Sequence, residues 1–374
     1  MDSSPVVMPP HVAGPLRLAP FRGLMLAPSR IGDPASGRAF ARPYRAVSGR
    51  LARWRAQGQA RWDETPALYL HEYTAGGITI RGLVGALDVS RRATRPEDRA
   101  VLPHEGIYPD QADDLAARMT QMQLNPAPIL LVHRAAPAAR AVVLRLIGTT
   151  PDHQFTDRHD QRHRIWAIRD EADLDLIADA IAGSRALIAD GHHRYGAYLR
   201  MQRRQPGGAC DYGLAMLVDQ EDTPLFLGAI HRVLTGVTMD GLLSAAESVG
   251  ATIQVTGSDQ AIAALGATTL VATDGDVWAT LTLAVPPDRA PVEILHEQVV
   301  PALPEGPHRL GYHHSADGAL AHAVPGQAVA VLLPAPDVAL VERIVEADRL
   351  LPEKATSFQP KPSLGVLMRS LRDE

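Results

Sequence analysis

Six consecutive residues, Asp190-Gly191-His192-His193-Arg194-Tyr195, follow the short apolar run Ala186 to Ala189. A buried strand that breaks at a glycine and restarts as a helix collects free backbone N–H groups and the positive end of a helix dipole at one point, which is the usual setting for an anion such as phosphate. Gly191 allows close approach of a ligand to the backbone. The planar fork of Arg194 and the rings of His192 and His193 can add hydrogen bonds to phosphate oxygens, and the Tyr195 phenol stands ready for a substrate. Asp190 has three open roles: capping the helix, binding a metal ion or accepting a proton.

Other residues could take part. His104-Glu105 sits in a proline-flanked loop, where a Glu beside a His suits a general base or a Mg²⁺ ligand. His231-Arg232 and His313-His314 are further polar pairs, each equally readable as solvated surface. The stretch Pro352 to Pro362 holds Lys354, Thr356, Ser357, Phe358 and Lys361 between three prolines. A stiff loop of this kind can present its two lysines to a phosphate or carboxylate. There is no His-Glu-x-x-His, no Gly-x-x-x-x-Gly-Lys-Ser/Thr and no Gly-x-Gly-x-x-Gly after a strand, so zinc-protease, P-loop and Rossmann fingerprints are all missing.

The elements that must carry these residues alternate. A helix is expected near 48–57, and strands over 67–73 and 78–87 joined by Gly76-Gly77, a hairpin signal. A helix over 111–124 follows, stopped by Pro126 and Pro128. Strands are then expected over 129–132, 142–147 and 164–168, a helix over 174–182, the strand into Asp190 and a helix running to Gln205. Strands over 212–218 and 225–234 lead to a boundary near Gly236. Beyond it come helices over 241–249, 260–265, 295–303 and 338–347, strands over 251–255, 269–273, 277–285 and 327–333, and a last short helix over 364–371. No repeat or low-complexity tract interrupts this order.

The chain of 374 residues has room for two lobes. Hydrophobic residues make up 46% and charged residues 21%, which rules out wholesale disorder. A formal charge of -5 supplies no basic field, so nucleic acid and acidic membrane surfaces are not expected partners. Lysine occurs only at 354 and 361. Cys210 stands alone, which excludes a disulfide framework or a cysteine metal site and fits a reducing cytoplasm. The first dozen residues, broken by Pro5, Pro9 and Pro10, read as a loose tail rather than a secretion signal, and no apolar run is long enough to span a bilayer.

Ile188 to Tyr195 resembles the signature of a bacterial and archaeal family known as domain of unknown function 1015. The likeness extends in order through Phe21-Arg22-Gly23-Leu24, His104-Glu105, His163 with Trp166, His231-Arg232-Val233, Leu295-His296 and Leu351 to Lys361. It departs at Ala27 to Pro34, where the family carries Pro-Pro-Tyr-Asp, at Glu105-Gly106-Ile107 and at Lys354-Ala355-Thr356. The central turn is similar, more distantly, to the phosphate-binding turn of the ParB and sulfiredoxin superfamily, whose members bind CTP or ATP and in some cases phosphorylate free serine.

The resemblance implies a mixed α/β fold, a ParB/sulfiredoxin-like nucleotide-binding core elaborated by a second α/β lobe. The expected division is a tail over 1–20, a nucleotide-binding domain over 21–236 and a C-terminal α/β domain over 237–374. The implied activity is ATP- and Mg²⁺-dependent phosphoryl transfer to the hydroxyl of a small metabolite, free serine being the first case. Gly191, His192, His193, Arg194, Lys354 and Lys361 would hold the nucleotide. Glu105, Asp190 and His104 would do the chemistry, with Asp190 and Glu105 also as metal ligands, and Tyr195, His231, Arg232 and Ser357 would meet the substrate. A nucleotide-sensing switch with little turnover and a metal-dependent hydrolase are the alternatives, and a homodimer is left open.

Overall fold

The computed structural model describes residues 6–372. The chain forms two compact units, Met1–Leu225 with Pro360–Glu374, and Phe226–Gln359. Residues 360–372 therefore return to the first unit, although in linear order they follow the C-terminal half. The expected tail is described only from residue 6 on; Val6, Val7 and Met8 are exposed, but Val7 bridges Ile107, Val12 bridges Arg92 and Ala13 bridges Arg99. Val12, Leu16 and Leu18 are buried. Apolar residues between the prolines explain this, since an extended proline-rich segment can still lay side chains into a core.

Among the described residues the first unit is built on a mixed nine-stranded sheet. Its strands run in the order Val101–Leu102, Ala186–Asp190, Ile129–His133, Tyr212–Asp219, Ile78–Asp88, Leu68–Ala75, Arg162–Ile168 and His153–Thr156, with Leu18–Ala19 paired to Ile78–Asp88. Leu68–Ala75 and Ile78–Asp88 form the expected hairpin around Gly76-Gly77. Alternation along a strand sends successive side chains to opposite faces. Tyr69, His71 and Tyr73 thus share one face with their cross-strand neighbour His163, while Glu72 lies on the other with Arg81 and Arg164.

Two sequence expectations are corrected in this unit. Residues 142–147, expected as a strand, are the end of the helix Pro137–Ile147. Pro137 occupies the first helical turn, where a missing N–H does no harm, and tertiary packing overrides the strand preference of Val142-Val143. The last helix expected over 364–371 is absent; Met368–Ser370 is a strand pairing with Gly23–Leu26 and Leu124–Asn125. Buried Arg369 fixes it, donating to Asn125 Oδ1 at 3.0 Å and to the carbonyls of Tyr212 and Ala209, each at 2.8 Å.

The second unit carries a six-stranded antiparallel sheet in the order Thr252–Thr256, Trp278–Thr282, Thr269–Thr273, Ala328–Leu332, His231–Thr235 and Arg309–His313. Val233, Val271, Ala319, Ala330 and Leu332 lie in its core. The strand expected over 225–234 is divided: Phe226–Gly228 pairs with Ser357–Gln359, and His231–Thr235 enters the larger sheet. The protein is a mixed α/β structure in both units.

Candidate functional site

The strand Ala186–Asp190 ends at the turn singled out in the sequence, and the helix His192–Arg204 begins immediately after Gly191. Gly191 has φ +97°, and a Cβ there would lie 3.0 Å from Arg194 Nε and Nη2 and from Ile129 Cγ2. Only glycine fits both the backbone and the space. A helix start exposes several N–H groups that have no intrahelical carbonyl to bind. Two cations from distant parts of the chain meet there. Arg194 Nη2 binds Asp190 Oδ2 and its Nη1 binds the Pro128 carbonyl, while Lys361 Nζ binds Asp190 Oδ1. The Asp190 carboxylate thus sits between a guanidinium and an ammonium, each on its own oxygen.

His192 and His193 do something other than the sequence suggests. His192 Nε2 accepts the backbone N–H of His104 at 3.3 Å, and His193 Nε2 accepts that of Tyr108 at 3.1 Å. The His193 ring also stacks on Tyr108, with centroids 6.0 Å apart. An imidazole nitrogen that accepts cannot donate, so these two atoms are not phosphate donors; they staple the 104–108 loop to the start of the helix, leaving only Nδ1 of each ring to donate. Gly196 lets the loop come close, since a Cβ there would be 2.5 Å from Ile107 Cδ1.

The stapled loop carries Glu105, whose carboxylate is 14% exposed and 3.9 Å from His104 Nε2. His104 is fully buried, and burial pushes its imidazole down to about 3. It is a neutral ring packed edge-on against His192, with centroids 4.6 Å apart. Burial makes it a packing partner of His192 rather than a group that exchanges protons with a substrate. Tyr195 is also corrected. It has no exposure, accepts from Val12 N–H at 3.0 Å and donates to the Pro10 carbonyl at 2.7 Å, so its phenol anchors the N-terminal segment beneath the helix.

Lys361 is placed by residues the sequence reading passed over. Gln161 Nε2 donates to the Lys361 carbonyl at 3.0 Å, and Gln161 Oε1 accepts from Ser363 N–H at 3.1 Å. Asp157 holds the turn that carries Gln161, accepting from the N–H groups of His159 at 2.8 Å and Gln161 at 3.0 Å. Its other oxygen is 3.1 Å from His163 Nε2, and His163 Nδ1 is 3.0 Å from His71 Nε2. Burial holds both histidines below their ordinary value, with the neighbouring ring adding to this for His71 and Asp157 opposing it for His163. For Asp157 burial acts upward, but hydrogen bonds from His163 and the two backbone N–H groups oppose it and the carboxyl lies below its ordinary value. His163 Nε2 therefore donates to an ionised Asp157, and His71 Nε2 donates to His163 Nδ1.

The remaining expected site residues belong to the second unit. Arg232 has no exposure; Nε donates to His296 Nε2 at 2.9 Å, Nη1 to the Ile230 carbonyl at 2.7 Å and Nη2 to the Glu353 carbonyl at 3.2 Å, and its guanidinium lies 4.8 Å from the Tyr312 ring centroid. It stitches the unit together and is not presented to a substrate. His231 Nδ1 accepts from Leu333 N–H at 3.1 Å, and buried Ser357 pairs through Oγ with His314 Nδ1 at 3.0 Å. Lys354 is exposed, with φ +55°.

Among the described residues no group of three or more His, Cys, Asp or Glu side chains could hold a metal ion, and no helix is long and apolar enough to cross a membrane. Mg²⁺ commonly takes only one or two carboxylates, with phosphate oxygens and water completing its shell. Glu105 suits such a shared role, whereas a dication at Asp190 would have to displace Arg194 or Lys361.

A family described as a protein of unknown function, DUF1015, matches residues 23–304. The chain matches no curated protein. Among solved structures, SbnI from Staphylococcus aureus with a C-terminal truncation is 15% identical, with 72% of this chain and 84% of that one covered at a TM-score of 0.42. A free serine kinase in complex with AMP is 12% identical over 71% of this chain and 89% of that one, at a TM-score of 0.38. A conserved hypothetical protein from Pyrococcus furiosus is 13% identical over 71% and 92%, at a TM-score of 0.37.

Proposed function

The chain belongs to the family of unknown function DUF1015, and we propose that it binds the phosphates of a nucleotide at the Gly191 turn and transfers a phosphoryl group to the hydroxyl of a small metabolite. The observation that carries this reading is the convergence of Arg194 and Lys361 on Asp190 at the start of a thirteen-residue helix. Two cations and a helix N-terminus at a glycine turn are the parts needed to neutralise and orient phosphate oxygens. Asp190 holds the two cations in place before the ligand arrives. The resemblance of this turn to that of the ParB and sulfiredoxin superfamily supports a nucleotide as the ligand and free serine as the first acceptor to try.

Phosphoryl transfer asks a protein mainly for positioning and charge neutralisation. Arg194, Lys361 and the helix start would hold the phosphates. Glu105, on the loop fixed by His192 and His193, would accept the proton of the acceptor hydroxyl as its oxygen bonds to the terminal phosphorus and the bond to the nucleoside diphosphate breaks. Mg²⁺, when bound with the nucleotide, would neutralise phosphate oxygens, with Glu105 as its protein ligand in place of the proton-accepting role.

Calorimetry with ATP, with and without Mg²⁺, and phosphorus NMR against a panel of hydroxy amino acids test this. The reading expects ATP binding that Arg194→Ala removes, and a phosphomonoester product that Glu105→Gln suppresses. No nucleotide binding, or binding unchanged in Arg194→Ala, overturns it. Binding without product for any acceptor would favour a nucleotide-sensing switch.

A further inference from the structure

The ammonium of Lys361 reaches Asp190 from a loop 171 positions away in sequence, and a lysine on a loop is useful to a ligand only if the loop backbone is held. The hold is visible. The Gln161 amide works as a two-point clamp on that backbone, donating to the Lys361 carbonyl and accepting from Ser363 N–H at 3.0 and 3.1 Å. One residue earlier, Tyr73 Oη donates to the Pro360 carbonyl at 2.7 Å. Gln161 is itself fixed, because Asp157 accepts its backbone N–H and closes the 157–161 turn, Asp157 N–H donating to the Gln161 carbonyl at 2.9 Å. Behind Asp157 the buried rings of His163 and His71 complete a line of hydrogen bonds running into the sheet. The other end of the loop is tied by buried Arg369.

We propose that Gln161 is a positioning residue of the phosphate site: its side-chain amide, carried on a turn whose backbone the His71–His163–Asp157 chain holds, clamps the 361–363 backbone and so presents Lys361 beside Arg194. This rests on the reading of the Gly191 turn as a nucleotide site. Gln161 touches no ligand and acts only through Lys361. Its aliphatic stem adds reach, and its amide matches a backbone peptide group in offering one donor and one acceptor, which neither Asp nor Glu can do.

The clamp is tested first without ligand, by hydrogen exchange at the Ser363 amide, which Gln161 protects directly. Gln161→Ala should speed that exchange about tenfold, the scale of one lost hydrogen bond of about 1.4 kcal/mol. Exchange at amides away from the loop, such as those within the His192–Arg204 helix, should stay unchanged, which separates a lost clamp from a misfolded protein. Unchanged Ser363 exchange in Gln161→Ala overturns the proposal whatever the protein binds. Titration with a fluorescent ATP analogue is the second measurement. Gln161→Ala should weaken binding about tenfold, and adding it to Lys361→Ala should weaken binding no further. A full additional loss in the double variant overturns the proposal, because Gln161 would then act without Lys361. If Lys361→Ala binds the analogue as tightly as the unaltered protein, the nucleotide reading fails, while the exchange result still reports on the clamp.

Discussion

Replacing Asp190 by asparagine should move two quantities in opposite directions. The unliganded protein uses the carboxylate as counter-ion to Arg194 and Lys361, whose side chains are 21% and 41% exposed, while that of Asp190 is 27% exposed. Partly exposed ion pairs of this kind contribute up to about 1 kcal/mol each, so Asp190→Asn should lower the unfolding free energy by about 1–2 kcal/mol. An anion entering between the two cations meets the carboxylate as a repelling charge. At an effective dielectric of about 20 and a separation of about 6 Å, one phosphate charge costs about 3 kcal/mol, roughly half of it screened by solvent and salt, leaving about tenfold in affinity. Asp190→Asn should therefore melt earlier yet bind tripolyphosphate, in the absence of metal, about ten times more tightly. Thermal denaturation and calorimetry on one protein sample read both numbers. Weaker tripolyphosphate binding in the variant would refute the reasoning, because the carboxylate would then be helping to hold the anion rather than occupying its place.

Other expectations concern buried polar groups and the glycine turn. Burial holds His104 and His133 at about 3 and about 4, so both stay neutral in the folded protein while the unfolded chain protonates them below about 6.5. Their contribution is intact above that value and is lost progressively as pH falls toward the folded values; at pH 5 each should cost about 2 kcal/mol, and urea unfolding at pH 7 and pH 5 giving equal free energies would contradict this. Gly191→Ala meets φ +97° and the Arg194 guanidinium at 3.0 Å. It should cost roughly 1–3 kcal/mol and weaken anion binding as Arg194 is pushed aside; unchanged stability and affinity would count against the geometry of the turn. Arg232→Met leaves the Ile230 and Glu353 carbonyls without their donor, and should destabilise by about 3 kcal/mol while ATP affinity of the folded fraction stays the same; a selective loss of substrate affinity would restore the binding role expected from sequence.

The strand, turn and helix around Gly191 are readable in the sequence because each is locally encoded: an apolar run, a glycine, then polar and apolar residues at helical spacing. What could not be read is partnership. Nothing local says that Lys361 joins Asp190 while Lys354 lies in the other unit, although both stand in one proline-framed loop. The roles of His192 and His193 depended on which atoms of the 104–108 loop come within reach, and an imidazole can donate or accept depending on that neighbour. Tyr195 and Arg232 look reactive by residue type, and burial decides otherwise. Gln161 carries no chemical signal at all, and its importance comes only from the two backbone groups opposite it. The helix over 137–147 was hidden by the strand preference of Val142 and Val143, with Pro137 as the overlooked start signal.

The central claim is that Arg194, Lys361 and the Gly191 turn hold nucleotide phosphates. A crystal structure of the protein with a non-hydrolysable ATP analogue and Mg²⁺ addresses it most directly. The account predicts phosphate oxygens at the start of the His192–Arg204 helix, within hydrogen-bond reach of Arg194 and Lys361, with at least one of those cations drawn off Asp190. An analogue bound away from the turn, with both cations still on Asp190, would contradict it.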